Sequence, residues 1–373
     1  MEREHHAEIA LQLQLYGWLY ERTTGVPPKH LQAHTGNGEI VDVPYDVGAA
    51  ALSELSRILA LKRLTAEPYE PIGWTKCDGC GFSGHCLPPA EARKDVSLVI
   101  DVDQGLARKL HGDGIETAYQ LVTGFDAVRL SQFKRPWGDR EQKVGKKAGK
   151  ILMYAEVLAT GRERLLGPAA IPTYENYVIF DLEGMPPHLD ELEKIYLWGM
   201  QVFGKRPGPF TGVTAGFGSG GDREGWQKFL RAAAGIFADH GDIPFVHWAP
   251  YEKTHVKRYI DRYGDPDGIA ARVLRNLLDL LPITKDAVAL PIYSYSLKVV
   301  EKHIGFRRTL EGGGGQWAMA QFIKATETGD EAERNARMAE ILKYNEEDLA
   351  ATWAVFEWLS AKAGVPQAPI STP

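Results

Sequence analysis

The sequence is short of several things, and each shortage excludes a class of protein. No apolar run in its 373 residues approaches the ~20 that a membrane span needs. The opening MEREHHAEIA is charged and has no apolar signal-peptide core, so the expected location is the cytoplasm, without a membrane partner. Cysteines number three, Cys77, Cys80 and Cys86, which is no disulfide framework for a secreted domain. Excess positive charge is also missing: the net charge is −6, so any nucleic-acid contact requires a local basic patch. The glycine run Gly312–Gly315 lacks the Gly-Lys-Ser/Thr ending and the preceding strand of a phosphate loop, and reads as a flexible bend. No Ser-His-Asp or Cys-His arrangement stands out.

What is present is a soluble chain long enough for two or three domains with proper cores. Residues 3 to 22 have helical periodicity, with Ile9, Leu13, Tyr16 and Tyr20 on one side. A hairpin turning at Asn37-Gly38 follows, then a helix over 47–64 and Pro- and Gly-broken loops around the cysteines. Residues 103 to 165 read as helical and basic. From Tyr177 the expected strands are 177–182, 195–203, 209–216 and 243–248, with a long helix over 222–239 between the last two.

The stretch YVIFDLEGMP, from Tyr177 to Pro186, ends an apolar strand on Asp181 and Glu183. On a strand, alternate residues share a face, so the two carboxylates lie together, roughly 6–7 Å apart at the backbone. Such a pair is costly unless a cation compensates it, and hard divalent ions prefer oxygen ligands of this kind. A lone pair of this sort more often simply faces water, so further acids must converge on it. The candidates are Glu252, after the next buried strand in FVHWAPYEK; Asp279, inside the apolar run RNLLDLLPI; and Asp348 with Tyr344, four apart on one face of the amphipathic helix ILKYNEEDLAATWAVFEWL.

This order resembles the ribonuclease-H-like exonucleases of the DEDD type, in the subgroup that uses a tyrosine. The resemblance implies a mixed sheet flanked by helices, and phosphodiester hydrolysis with two Mg²⁺ or Mn²⁺ ions. It makes Asp181, Glu183, Glu252 and Asp348 metal ligands and Tyr344 the residue that orients water. His247 stands where the family's second motif has asparagine, and Glu252 where it has aspartate. SYSLKVVEKHIG, residues 294 to 305, is similar to the S-L-K segment of these nucleases and makes Lys298 a phosphate contact; a solvated lysine is the alternative.

Cys77, Cys80 and Cys86, spaced C-x2-C-x5-C, suggest zinc or an iron–sulfur cluster, although either usually takes four ligands; reduced thiols are the alternative. Gln12 and Tyr16, followed by helix, hairpin, helix and this cysteine spacing, resemble the C-terminal part of a RecB-type nuclease domain with a 4Fe-4S cluster. The resemblance implies that the chain starts after that domain's catalytic half and its fourth cysteine. Leu11, Leu15 and Trp18 are then expected to be incompletely covered.

LARKLHGDGIETAYQLVTG, Leu106 to Gly124, resembles a helix-hairpin-helix, with Gly112 and Gly114 bringing the backbone close to a phosphate. An ordinary helix–helix turn is the alternative. Beyond it, Lys134, Arg135, Lys143, Lys146 and Lys147 lie close to Phe133 and Trp137 and read as a phosphate track with base stacking. The expected domains are a RecB-type remnant over 1–100, a helical basic region over 101–168, and a ribonuclease-H-like α/β domain over 174–363. The expected function is 3′–5′ exonuclease action on single-stranded DNA or RNA. The alternative is a non-catalytic nucleic-acid-binding or scaffold protein with a decayed site.

Overall fold

The computed structural model describes residues 3–35, 38–77, 79–138, 140–187, 193–216, 218–310 and 313–363. They form two compact units, one of Met1–Ser97 with Asp101–Leu152 and one of Leu98–Ile100 with Met153–Pro373. No helix among the described residues is long and apolar enough to cross a membrane.

In the first unit, helix Arg3–Thr24 packs on helix Ala49–Lys62. On the side shared by Ile9, Leu13, Tyr16 and Tyr20, the first two are half-buried and the two tyrosines exposed, while Gln14 and Gly17 are buried. The reason is polar. Gln14 Nε2 donates to the Pro44 carbonyl (2.6 Å) and its Oε1 accepts from the Asp46 amide (3.1 Å), fixing the chain beyond the hairpin. A Cβ on Gly17 would stand 2.9 Å from the Tyr45 ring, so only glycine lets that ring close. Leu11, Leu15 and Trp18 are half-buried. Strands Gln32–His34 and Ile40–Asp42 form the antiparallel hairpin; Asn37 of its turn lies outside the described residues.

Further along, helices Gln104–Gly112, Ala118–Gly124 and Ala127–Gln132 lead into an antiparallel hairpin, Lys134–Trp137 with Arg140–Lys143. Residues 134–143 of the basic stretch are therefore strand, not helix, while Lys146 and Lys147 lie on a short 3-10 helix that leads into helix Ala148–Thr160. Pro136 cannot donate within a helix, whereas a two-stranded edge tolerates it. Gly105 permits the close approach: a Cβ there would meet the Pro136 carbonyl at 2.1 Å.

The second unit carries a five-stranded sheet. In chain order its strands are Asn176–Met185, Lys194–Gly204, Thr211–Thr214, Phe245–His247 and Leu277–Asp279. Their spatial order is fifth, fourth, first, second, third. The first three are antiparallel neighbours, and the fourth and fifth run parallel to the first. The central strand is buried along most of its length, as expected when helices cover both faces.

Alternation sorts its side chains. Val178, Phe180 and Leu182 join Trp198, Trp226, Phe229 and Tyr259 in a core beneath helices Gly218–His240 and Tyr251–Tyr263. Each such buried apolar side chain contributes about 1.5–3 kcal/mol. Ile179, Asp181 and Glu183 occupy the other face by period. There, helices Gly315–Glu327 and Glu331–Ala363 pack, with Phe322 stacked on Tyr196 at 4.2 Å.

Candidate active site

Asp181 and Glu183 reach the face covered by the last helix, and Asp348 comes from that helix. Ligand oxygens of Asp181, Glu183 and Asp348 all lie within 4.8 Å of one another, the only such group of three among the described residues. Glu183 and Asp348 are buried and Asp181 is partly buried.

The helix can come this close because of a glycine. Asp181 pairs in register with Gly199 on the neighbouring strand. A Cβ on Gly199 would stand 1.8 Å from Asn345 Oδ1, so the bare backbone admits Asn345. Asn345 Nδ2 then donates to Asp181 Oδ2 at 2.6 Å. Its Oδ1 is buried without a partner among the described residues. Flipping the amide would set oxygen against carboxylate, so Asp181 fixes its orientation.

Asp348 is held from two sides. Tyr344, one turn earlier, hydrogen-bonds it, and Arg308 Nη2 donates to its Oδ1 at 2.5 Å. Glu301 takes Arg308 in a fork, from Nε at 2.6 Å and Nη2 at 2.7 Å. Glu347 accepts from the Thr309 amide and hydroxyl and from the Leu310 amide, which pins the segment carrying Arg308. Lys298 lies 5.1 Å from the Tyr344 ring centre and donates to the Gly313 carbonyl. A Cβ on Gly313 would meet the Tyr344 ring at 2.9 Å, so the glycine run borders the site; Gly312 lies outside the described residues.

The electrostatics follow from packing like charges out of water. Burial, then the Asp348, Glu183 and Glu252 carboxylates, holds Asp181 well above the usual carboxylate range. Glu183 is pushed up to about 8, by burial first and then by Asp348. Burial raises Asp348 too, against the hydrogen bonds of Arg308 and Tyr344. Three oxygen ligands that shed protons when a cation arrives are a donor set suited to a hard divalent ion.

Residues 178–360 match the family model of the RNase H superfamily. No curated protein and no solved structure matches the chain. The fold of the second unit is ribonuclease-H-like, a mixed sheet flanked by helices, and the match supports a nuclease.

Within this ribonuclease-H-like unit, Glu252 stands outside the close group. It is buried, and His247 Nδ1 lies 3.1 Å from its Oε2 and 2.7 Å from the Ala249 carbonyl. A carbonyl only accepts, so Nδ1 carries the hydrogen. Burial raises Glu252, and the His247 contact opposes the rise. The role of Asp279 is local and structural, since its Oδ1 accepts from the Ala249 amide and the Leu281 amide, both at 3.0 Å. It thereby caps helix Leu280–Ala287 and holds Ala249 at φ +71°. Asp279 is thus a cap rather than a member of the acidic group.

In the first unit, the three thiols make no group as close as the carboxylates do among the described residues. Cys77 is buried at the end of helix Trp74–Cys77, Cys80 is exposed, and Cys86 is half-buried on helix Ser83–Arg93. All three line a largely apolar cavity of about 670 Å³ with Ile58, Leu61 and Phe82. Burial raises the Cys77 thiol. Gln12 and Tyr16 bond each other on the exposed face at 2.6 Å.

Gly112 ends one helix, and Gly114 turns at φ +81° towards the next. The amides from Gly114 to Thr117 are taken within the protein, by His111, Leu110 and twice by Gln120. Arg135 is a correction. It is buried, with its Nε 2.7 Å and its Nη2 2.5 Å from Asp103 Oδ2, so it clasps the hairpin to a helix instead of meeting a phosphate. Lys134, Lys143, Lys146 and Lys147 are exposed, as is Trp137.

Sequence reasoning missed Arg308, Glu301, Asn345 and Gly199. One signal existed for Asn345: four polar residues in succession, Asn345 to Asp348, stand directly before the mostly apolar stretch Leu349–Phe356.

Proposed function

We propose that the second unit is a divalent-metal-dependent nuclease that removes nucleotides from the 3′ end of single-stranded DNA or RNA. The observation that carries this reading is the convergence of Asp181, Glu183 and Asp348 within 4.8 Å, inside the span matched to the RNase H superfamily. Polarity and substrate follow from the likeness of the D-x-E and Y-x-x-x-D motifs to tyrosine-type exonucleases. In the reaction a water oxygen bonds to phosphorus and the bond from phosphorus to the 3′ oxygen breaks. That oxygen takes up a proton, and a nucleoside 5′-monophosphate leaves.

Asp181, Glu183 and Asp348 would hold Mg²⁺ or Mn²⁺, which supplies positive charge at the attacking and leaving oxygens. Asn345 fixes one oxygen of Asp181 and so sets the direction of the other. Tyr344, bonded to Asp348, orients the attacking water. Lys298, at the rim, contacts a backbone phosphate. In the first unit the exposed Lys134, Lys143, Lys146 and Lys147 attract the strand electrostatically.

The test is a single strand labelled at one end or the other, incubated with Mn²⁺ or with EDTA. The expected result is shortening from the 3′ end with Mn²⁺ only, and none in Asp181→Asn. No shortening under any divalent cation sinks the reading. A non-catalytic binding protein is the second reading, favoured by the tie of Glu252 to His247. Retention of the strand without cleavage in Mn²⁺ would identify it.

A further inference from the structure

Arg308 is tied on one edge and open on the other. Its Nε and Nη2 are used by Glu301 and Asp348. Its Nη1 is buried without a partner among the described residues. A guanidinium carries five N–H donors, and leaving two buried and unused costs free energy unless something else takes them. The pocket around it is strongly charged. Asp181, Glu183, Asp348 and Glu301 face Arg308 and Lys298, whose charges act on Asp348 and Glu183. When all are ionised, four carboxylates against two cationic side chains leave two negative charges, the charge of one divalent ion. Glu252, the acid a second ion would need, is bonded to His247 and lies outside the close group.

We propose that Arg308 is the fixed second cation of this site. The site takes one divalent ion beside Asp181, Glu183 and Asp348, and Arg308 Nη1 takes a non-bridging oxygen of the substrate phosphate. Glu301 and Glu347 are the positioning residues, one gripping the guanidinium and the other pinning the segment that carries it. The phosphate partner rests on the nuclease reading; the ion count does not.

The test counts Mn²⁺ by titration calorimetry on the full chain, taking as site ions those lost in Asp181→Asn. The expected count is one in the parent, one in Arg308→Lys and two in Arg308→Gln, where Asp348 Oδ1 is released. Two site ions in the parent would overturn the proposal without any variant having to fold. So would a count of one in a folded Arg308→Gln, with folding checked by circular dichroism.

A second arm measures binding of a thymidine oligomer in EDTA, in the Asp181→Asn background. Arg308→Gln is expected to weaken it about tenfold, as the loss of one charge-assisted contact would; unchanged binding removes the phosphate role. If the ion counts hold but the parent cleaves no strand, Arg308 stands and the nuclease reading falls. If strands are cleaved with two site ions, the reverse holds.

Discussion

The carboxylates of the second unit and the thiols of the first were both legible as ligand sets, yet only the carboxylates close up. The difference lies in what carries them. Asp181 and Glu183 stand on the central strand of a sheet covered on both faces, and Asp348 on a helix of 33 residues packed against it. Arg308, Asn345 and Tyr344 each bond a member of that group. The thiols stand on a four-residue helix, on a turn and on a separate helix, around an apolar cavity. Like charges stay together where scaffold and counter-charge hold them; spacing along the chain alone does not assemble a site.

The largest expected effect separates the two clusters outright. Asp181→Asn should lower cleavage at least about 10³-fold, on the scale of losing a group that stabilises transition-state charge. It should also abolish the rise in melting temperature that Mn²⁺ gives. Cys77→Ser should leave cleavage unchanged. Equal losses in both variants would show that the thiols contribute to cleavage.

Next in size is Gly199→Ala. The added methyl overlaps Asn345, so the last helix must shift. A cost of about 1–3 kcal/mol in unfolding free energy is expected, with roughly 10–100-fold weaker Mn²⁺ binding. Gly199→Ala melting like the parent would show that the Asn345 contact is dispensable.

The third effect concerns pH. Glu183 rises from 4.5 to about 8 on folding, so its protonated form favours the folded state. That contribution is complete below the unfolded value and is lost as pH rises through about 8. The metal-free protein should therefore melt progressively lower between pH 5 and pH 8. Mn²⁺ should stabilise it most at the upper end, where the carboxylates are free of protons. A melting temperature rising with pH over that range in EDTA would contradict the buried carboxylates.

The smallest effect is chemical. Cys80 should react first with a thiol reagent, then Cys86, and Cys77 last, because burial both shields Cys77 and raises its thiol. Equal protection of all three, with zinc or iron present in stoichiometric amount, would show that the thiols close around a metal after all.

The period-2 and period-3.6 patterns predicted four of the sheet's five strands, the helix carrying Tyr344 and Asp348, and the shared side of Asp181 and Glu183; the short edge strand Leu277–Asp279 was not predicted. These are local signals, and each is written within a dozen residues. Arg308 and Gly199 were not legible, because their importance lies in what a distant segment brings against them. The hairpin at Lys134–Lys143 was misread because lysines and a glutamine mimic a helix surface, while the clasp of Arg135 on Asp103 spans 32 positions.

The bond from Asn345 to Asp181 joins positions 164 residues apart, near the start and the end of the sheet-bearing unit. A ribosome makes the first two acids of that unit early and the third almost last. An interrupted translation product that stops before Asp348 therefore carries Asp181 and Glu183 without their third partner, their Arg308–Asp348 clamp or the helix that covers them. Such a fragment lacks the close group of three carboxylates, which forms only once the last helix of the unit has been made.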